Sequence, residues 1–248
     1  MRHYLLIVLL LLFSSTHHAL VNTESLRSSK LPGTQQFLSL DIAAKSGNNS
    51  LFSFSPEYTL YITPYKRSLR GFLYGTLSNS THKQKTIAQH HFIHARLIKS
   101  YSSPLELEYF IQHQANYFLN LNARYVTGLA LRYSLDPLDQ NFIISSGLML
   151  EQEHYSNKRV QTVCRSSNYL ITKHRISKTS ILNTITYIQP KLDEFSDIRI
   201  LSDVELNTKI TELLSLSMSV EARYDNEPES SLEPLDLTFK QAIRVEIP

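Results

Sequence analysis

From Gln36 onward the chain alternates apolar and polar residues with a period of two, and nothing else constrains its fold as tightly. In the second run, Phe52, Phe54, Pro56, Tyr58, Leu60 and Ile62 share one face, and Ser53, Ser55, Glu57 and Thr59 the other. In the fifth, Leu105, Leu107, Tyr109 and Ile111 oppose Glu106, Glu108, Phe110 and Gln112. In the sixth, Leu121, Ala123, Tyr125, Leu129, Leu131 and Tyr133 oppose Asn122, Arg124 and Arg132. In the tenth, Ile198, Ile200, Val204 and Leu206 oppose Arg199, Asp203, Glu205, Asn207 and Lys209. The last two runs repeat this: Leu214 to Ala222 against Ser215 to Arg223, and Leu237 to Ile247 against Asp236 to Glu246. Successive strand side chains point to opposite faces, so this pattern specifies strands; a helix would need apolar residues three and four apart.

About twelve such runs of roughly ten to fourteen residues follow one another, the length range of tilted membrane-spanning strands. Runs eight (about 160–172) and nine (about 179–190) lack clean parity, so their faces stay unassigned. Pro56 lies mid-run without an N–H to donate, which calls for a bulge there. The connections "TPYK", "YSSP", "RISK" and "TELL" are short, whereas "YDNEPESSLEPLD" (224–236) is long, acidic and Pro-rich.

An exported β-sandwich alternates too, with its apolar residues turned inward; a membrane barrel turns them toward lipid. Period alone does not separate the two. Three features favour an all-β, transmembrane antiparallel barrel of about twelve strands. The runs exceed the usual five or six residues of a strand. The apolar face is rich in Leu, Ile and Tyr throughout. Aromatic residues cluster at run ends, as at Tyr117, Phe118, Tyr133, Tyr155, Phe195 and Tyr224, where interfacial girdles belong. An even strand number puts both chain ends on one side and the acidic loop on the other.

The N-terminus "MRHYLLIVLLLLFSSTHHA" joins a basic start at Arg2 to an apolar core, Leu5 to Phe13, then small and polar residues. That core is too short for a bilayer helix of about 20 residues and reads as a secretory signal over 1–19. Cleavage fits after Ala19 or after Thr16. Residues 20–35 show no period and read as a flexible periplasmic lead-in to a barrel over 36–248. Mean hydropathy is -0.20, a measure blind to alternating strands. The formal charge of +3 is too mild to point to nucleic acid. Cys164 stands alone and mid-chain, so it forms no intramolecular disulfide and is no lipoprotein acylation site.

The face opposite the apolar one carries charge of both signs: Asp41, Lys45, Glu57, Arg70, Arg96, Glu106, Glu108, Arg124, Arg132, Glu151, Glu153, Asp203, Glu205, Lys209, Glu221, Arg223, Lys240, Arg244 and Glu246. Twelve strands enclose a narrow interior, between the filled eight-stranded barrel and the open sixteen-stranded channel. Buried charges there must pair, which favours a salt-bridged, packed lumen over a conducting pore. Glu106/Glu108 and Glu151/Glu153 are spaced like the carboxylates of glycosidases, but alternating lumen residues produce that spacing without catalysis. In "QHHFIHAR", His90 and His94 share a face about 13 Å apart while His91 points away, so no single metal joins them.

The sharper candidate is "EHYSNKR" (153–159). Its His154 and Ser156 share the parity of Leu148 and Leu150, as a base and nucleophile for lipid-ester hydrolysis at the barrel surface would. The pair resembles the His-x-Ser-Asn of outer-membrane lipid A deacylases and phospholipases. No acidic orienter accompanies it, and the primary expectation is a protein that is not an enzyme and binds neither metal nor cofactor.

"SLDIAAKSGNNS" (39–50), "GLMLEQEHY" (147–155) and the long stretch 165–228, closing on Tyr224, Asp225 and Pro228, resemble the salt-induced outer-membrane protein family, also called domain of unknown function 481. The resemblance covers about 36–248 and implies a β-barrel of the Gram-negative outer membrane, with no catalytic residues to carry over. Outer-membrane lipid and, during biogenesis, the barrel-assembly machinery are the partners expected of such a barrel, and a monomer is its expected state. Asn49 replaces the family's usual Thr, and the chain ends "VEIP" where an aromatic residue is usual. Either Ile247 serves as the assembly signal or that signal is weak.

Overall fold

The computed structural model describes residues 32–45, 51–65, 68–82, 85–102, 104–136, 141–211, 214–228 and 232–245. The proposed signal segment and residues 20–31 lie outside this set, as do Glu246 and the side chains of Asp41, Lys45, Phe118, Lys240 and Arg244.

Twelve strands form one sheet in sequence order. They are β1 (Gly33–Lys45), β2 (Leu51–Thr63), β3 (Leu69–His82), β4 (Lys85–Ser102), β5 (Leu105–Asn116), β6 (Leu121–Ser134), β7 (Phe142–Tyr155), β8 (Val160–Arg175), β9 (Ser180–Pro190), β10 (Ile198–Lys209), β11 (Leu214–Asp225) and β12 (Leu235–Val245). Each pairs antiparallel with the next, as an up-and-down meander requires. The first strand starts at Gly33, three residues before the alternation becomes clear in the sequence.

The burial pattern is inverted relative to a soluble domain. On one face Leu38, Leu129, Leu148 and Phe239 are 79%, 53%, 56% and 52% exposed. On the other, Arg124 and Glu151 are 1% and 0% exposed. The sheet is rolled around the charged face: the Tyr169 hydroxyl on β8 reaches Glu108 on β5, and Arg199 on β10 reaches Glu153 on β7. Apolar side chains on the outside of nearly every strand find a favourable solvent only in lipid, so the molecule is a transmembrane antiparallel β-barrel.

The strand register corrects three expectations. First, there is no bulge at Pro56. The β2–β3 register runs unchanged from Phe54↔Asn79 to Glu57↔Thr76, and only the pairs at 55 and 56 drop out. Both need the bond from the residue-56 N–H to the Leu77 carbonyl, which proline cannot donate. Hydroxyls clamp the two strands beside the gap: Ser55 Oγ to Ser78 Oγ at 3.0 Å and Ser80 Oγ to Ser53 Oγ at 3.0 Å. Register shifts fall instead at Ser80/Thr81, Ser100/Ser102, Gln114/Asn116 and Leu121/Ala123.

Second, the shift at Leu121/Ala123 turns Leu121 inward, where it is buried, and leaves Asn122 exposed, the reverse of simple parity. Third, Tyr155 is no member of an outer girdle. It shares the inner face with Glu151 and Glu153, and its hydroxyl donates to Glu153 Oε2 at 2.7 Å. Tyr117, Tyr133, Phe195 and Tyr224 are exposed, as a girdle needs.

Two glycines are forced by packing. A Cβ on Gly147 would lie 2.2 Å from the Leu129 carbonyl oxygen and 2.6 Å from Ala130 Cα. One on Gly128 would lie 2.4 Å from Phe110 Cζ. Both sit on the inner face of β6–β7, where a curved sheet brings backbones and rings into contact.

Candidate functional site

The interior is the site, and its contents are layered. Strand direction places the β1–β2, β3–β4, β5–β6, β7–β8, β9–β10 and β11–β12 turns at one end, here called the loop end. The β2–β3, β4–β5, β6–β7, β8–β9 and β10–β11 turns lie at the other, the terminal end.

Toward the loop end, β6, β7, β8 and β10 bring three arginines onto two glutamates. Glu151 Oε1 accepts from Arg199 Nη1 at 2.7 Å and from Arg165 Nε at 3.1 Å. Its Oε2 accepts from Arg124, through Nε at 2.9 Å and through a second contact from Nη2. Glu153 takes Arg199 Nη1 at 2.9 Å and Nη2 at 3.1 Å. Asp197 at 2.8 Å from Arg165, and Asp225 at 2.8 Å from Arg199, extend the network. Every member except Asp225 is buried. An isolated charge in such a place is very costly, and it is the convergence of several partners on each carboxylate that makes the cluster tenable.

At mid-height Arg96 donates to Glu108 Oε2 at 3.1 Å, and the Tyr169 hydroxyl lies 3.4 Å from both Glu108 oxygens. The Arg96 guanidinium lies 5.8 Å from the Phe72 ring centroid and 5.7 Å from that of Phe110. His94 stacks against Phe72, Phe92 and Phe110 with centroids 5.7, 6.1 and 6.1 Å away. Toward the terminal end Glu106 joins Arg70 at 2.6 Å and Arg132 at 3.1 Å. Beside these layers Ile143, Tyr169, Ile171, Ile185, Tyr187 and Leu201 form an apolar cluster inside the barrel. A cavity of about 50 Å³ lies between Arg96, Glu108, Arg124, Met149 and Tyr187, room for on the order of a few waters.

The carboxylate pairs nominated from spacing therefore share the inner face, and all four are ion-paired with arginine. Histidines 90 and 94 are buried inward and His91 is outward, where it stacks on His113 at 5.0 Å. Among the described residues no group of three or more His, Cys, Asp or Glu side chains could hold a metal ion. His154 and Ser156 are not brought together. The His154 ring meets Tyr125 edge-on at 6.1 Å, while the single Ser156 hydroxyl proton has two acceptors, the Asn120 carbonyl and Asn122 Oδ1, each 3.1 Å from Oγ.

Alternation is illegible on β8, and the inward Arg165 cannot be read from the sequence pattern. Here Val163, Arg165, Ser167, Tyr169 and Ile171 point inward, while Cys164, Ser166 and Asn168 face out. The inner face of β8 is half apolar and the outer face half polar, which is why the alternation is illegible. The outward polar groups satisfy one another: Ser146 Oγ donates to Asn168 Oδ1 at 2.7 Å, and Asn168 Nδ2 to Ser166 Oγ at 2.8 Å. In the β9–β10 turn, the Lys191 ammonium bonds Glu194 Oε2 at 3.2 Å, and that hydrogen bond raises the pKa of Lys191.

Comparison with curated proteins finds no match. Among solved structures the chain is similar to the NanC porin, at 7% identity and a TM-score of 0.49, over 84% of this chain and 100% of that one. It is also similar to the beta domain of the Bordetella autotransporter BrkA, at 10% identity and a TM-score of 0.34, over 86% of this chain and 98% of that one. The reading of the fold rests on strand pairing and burial, not on these distant likenesses. The model of the family described as "Protein of unknown function, DUF481" matches residues 39–245, nearly the whole barrel, and the chain belongs to that family.

Proposed function

We propose that this protein is a non-enzymatic barrel of the Gram-negative outer membrane, exported with a signal peptide and sealed by its own side chains. The observation that carries the reading is the Arg124–Glu151–Arg165–Arg199–Glu153 network, buried on the inner face of β6, β7, β8 and β10. A conducting pore keeps its charged residues solvated along a water-filled path. Here they neutralise one another, and the apolar cluster occupies the space beside them. The role that follows is structural, in the envelope.

Outer-membrane lipid and the barrel-assembly machinery are the partners of this reading, and the protein acts as a monomer. Its acidic β11–β12 loop faces outside, and both chain ends lie in the periplasm. Two measurements test it together. The folded protein should fractionate with outer membranes and migrate faster on gels before heating than after. Reconstituted in liposomes, it should leave sugar-driven swelling at the protein-free rate. Recovery in the soluble periplasmic fraction would overturn the membrane assignment, and rapid swelling would overturn the sealed lumen.

A further inference from the structure

The outer surface of β2–β5 is not uniformly filled. Near the terminal end a groove of about 280 Å³ runs across it, at the small end of ligand-sized pockets. Its floor is made by Gly71 and Ala95, and its walls by Ile62, Leu73, Leu97 and Ile111. Position 71 is tightly approached: a Cβ there would stand 3.0 Å from both the Arg96 carbonyl oxygen and Leu97 Cδ2, so a larger side chain would crowd the floor. The groove thus exists because two consecutive outward positions on neighbouring strands are small among large aliphatic neighbours.

One strand position beyond the groove on the same face stands Lys99, two residues after Leu97 and level with Leu69 and Leu107. It is exposed and has no ion-pair partner among the described residues. Tyr101, 64% exposed, follows on the same face, and Tyr65, 88% exposed, lies in the adjacent turn. Exposed tyrosines mark the depth of the lipid headgroups. Among the described residues of β2–β5, Lys99 is the exposed cation at that depth, and with the apolar groove above it in the bilayer it has the charge and shape complement of one class of molecule.

We infer that this face holds an anionic phospholipid, one acyl chain lying in the Gly71/Ala95 groove and its phosphate on the Lys99 ammonium. The site rests on the lipid-facing reading of the outer surface. It is tested on protein already shown to insert into membranes, so the two can fail separately.

Purified, delipidated protein is titrated with phosphatidylglycerol, with phosphatidylcholine of the same chains, and with glycerol phosphate, and bound lipid is read by native mass spectrometry. The wild type should retain one phosphatidylglycerol under activation that strips other lipids, and should not retain glycerol phosphate. Ala95→Phe fills the groove and should lower retention about tenfold, as a pocket closed to its ligand does. Lys99→Gln should keep an acyl-dependent adduct but lose the preference for phosphatidylglycerol over phosphatidylcholine. Ala222→Phe, on the outer face of β11, should change nothing. Should Ala95→Phe fail to fold, Ala95→Met carries the same test. Retention unchanged in the folded Ala95 variant, or equally lost in Ala222→Phe, would mean unspecific surrounding lipid only and would overturn the site. Retention of glycerol phosphate alone would overturn the acyl groove.

Discussion

Arg199 on β10 reaches across two intervening strands to Glu151 on β7, with 2.7 Å between Nη1 and Oε1. Glu151 is wholly buried, and Arg124 and Arg165 meet the same carboxylate. One acidic group thus ties β6, β8 and β10 to β7 through the interior, over and above the strand ladders.

Removing that carboxylate takes the shared partner from three buried guanidinium groups and leaves them Glu153, Asp197 and Asp225. Glu151→Gln should destabilise the folded barrel by about 3–5 kcal/mol, the cost of breaking a buried ion pair by deleting one partner. Glu106→Gln removes a more exposed carboxylate, 14% accessible, and should cost clearly less. Urea unfolding in lipid vesicles, followed by tyrosine fluorescence, compares the two.

Gly147→Ala should prevent folding into the heat-modifiable form, because its Cβ meets backbone atoms that cannot move aside. Gly75→Ala is the control. Its Cβ would find nothing closer than 4.0 Å, so the change should stay within about 0.5 kcal/mol.

Leu129, outward at the middle of β6, distinguishes lipid from water as the surrounding medium. Leu129→Arg should cost about 2–4 kcal/mol in bilayers, the range for arginine at the midplane of a barrel's lipid face. An exposed position on a water-soluble sandwich would tolerate the same substitution within about 0.5 kcal/mol.

Pro56→Val should restore the missing bond to the Leu77 carbonyl and complete the β2–β3 ladder. The expected gain is about 0.5–1.5 kcal/mol, a typical net hydrogen bond, read from the same urea titration.

Period two was legible wherever one face met lipid and the other met charge, as on β5, β10 and β11. The charged rows containing Glu108, Arg124 and Glu151 followed directly from it, because register preserves parity across a sheet. Parity broke at Leu121 because a bulge consumes an odd residue, and no local composition marks that bulge. It broke on β8 because Tyr169 and Ile171 face inward while Asn168 and Ser166 face outward. The reach of Arg199 from β10 to Glu151 and Glu153 on β7 was not legible, since those strands are not adjacent and the contact depends on how the sheet rolls. The acyl groove was equally hidden: Gly71 and Ala95 become neighbours through the strand register, two places apart from exact opposition.

The proposed sealing of the interior is tested most directly by ion conductance in planar bilayers, on protein whose insertion is confirmed by co-sedimentation with vesicles. With the arginine–glutamate network intact, inserted wild-type protein should give no resolvable conductance steps. Stable, uniform single-channel openings from the inserted wild type would contradict the proposed sealed lumen, because ions would then be passing through it.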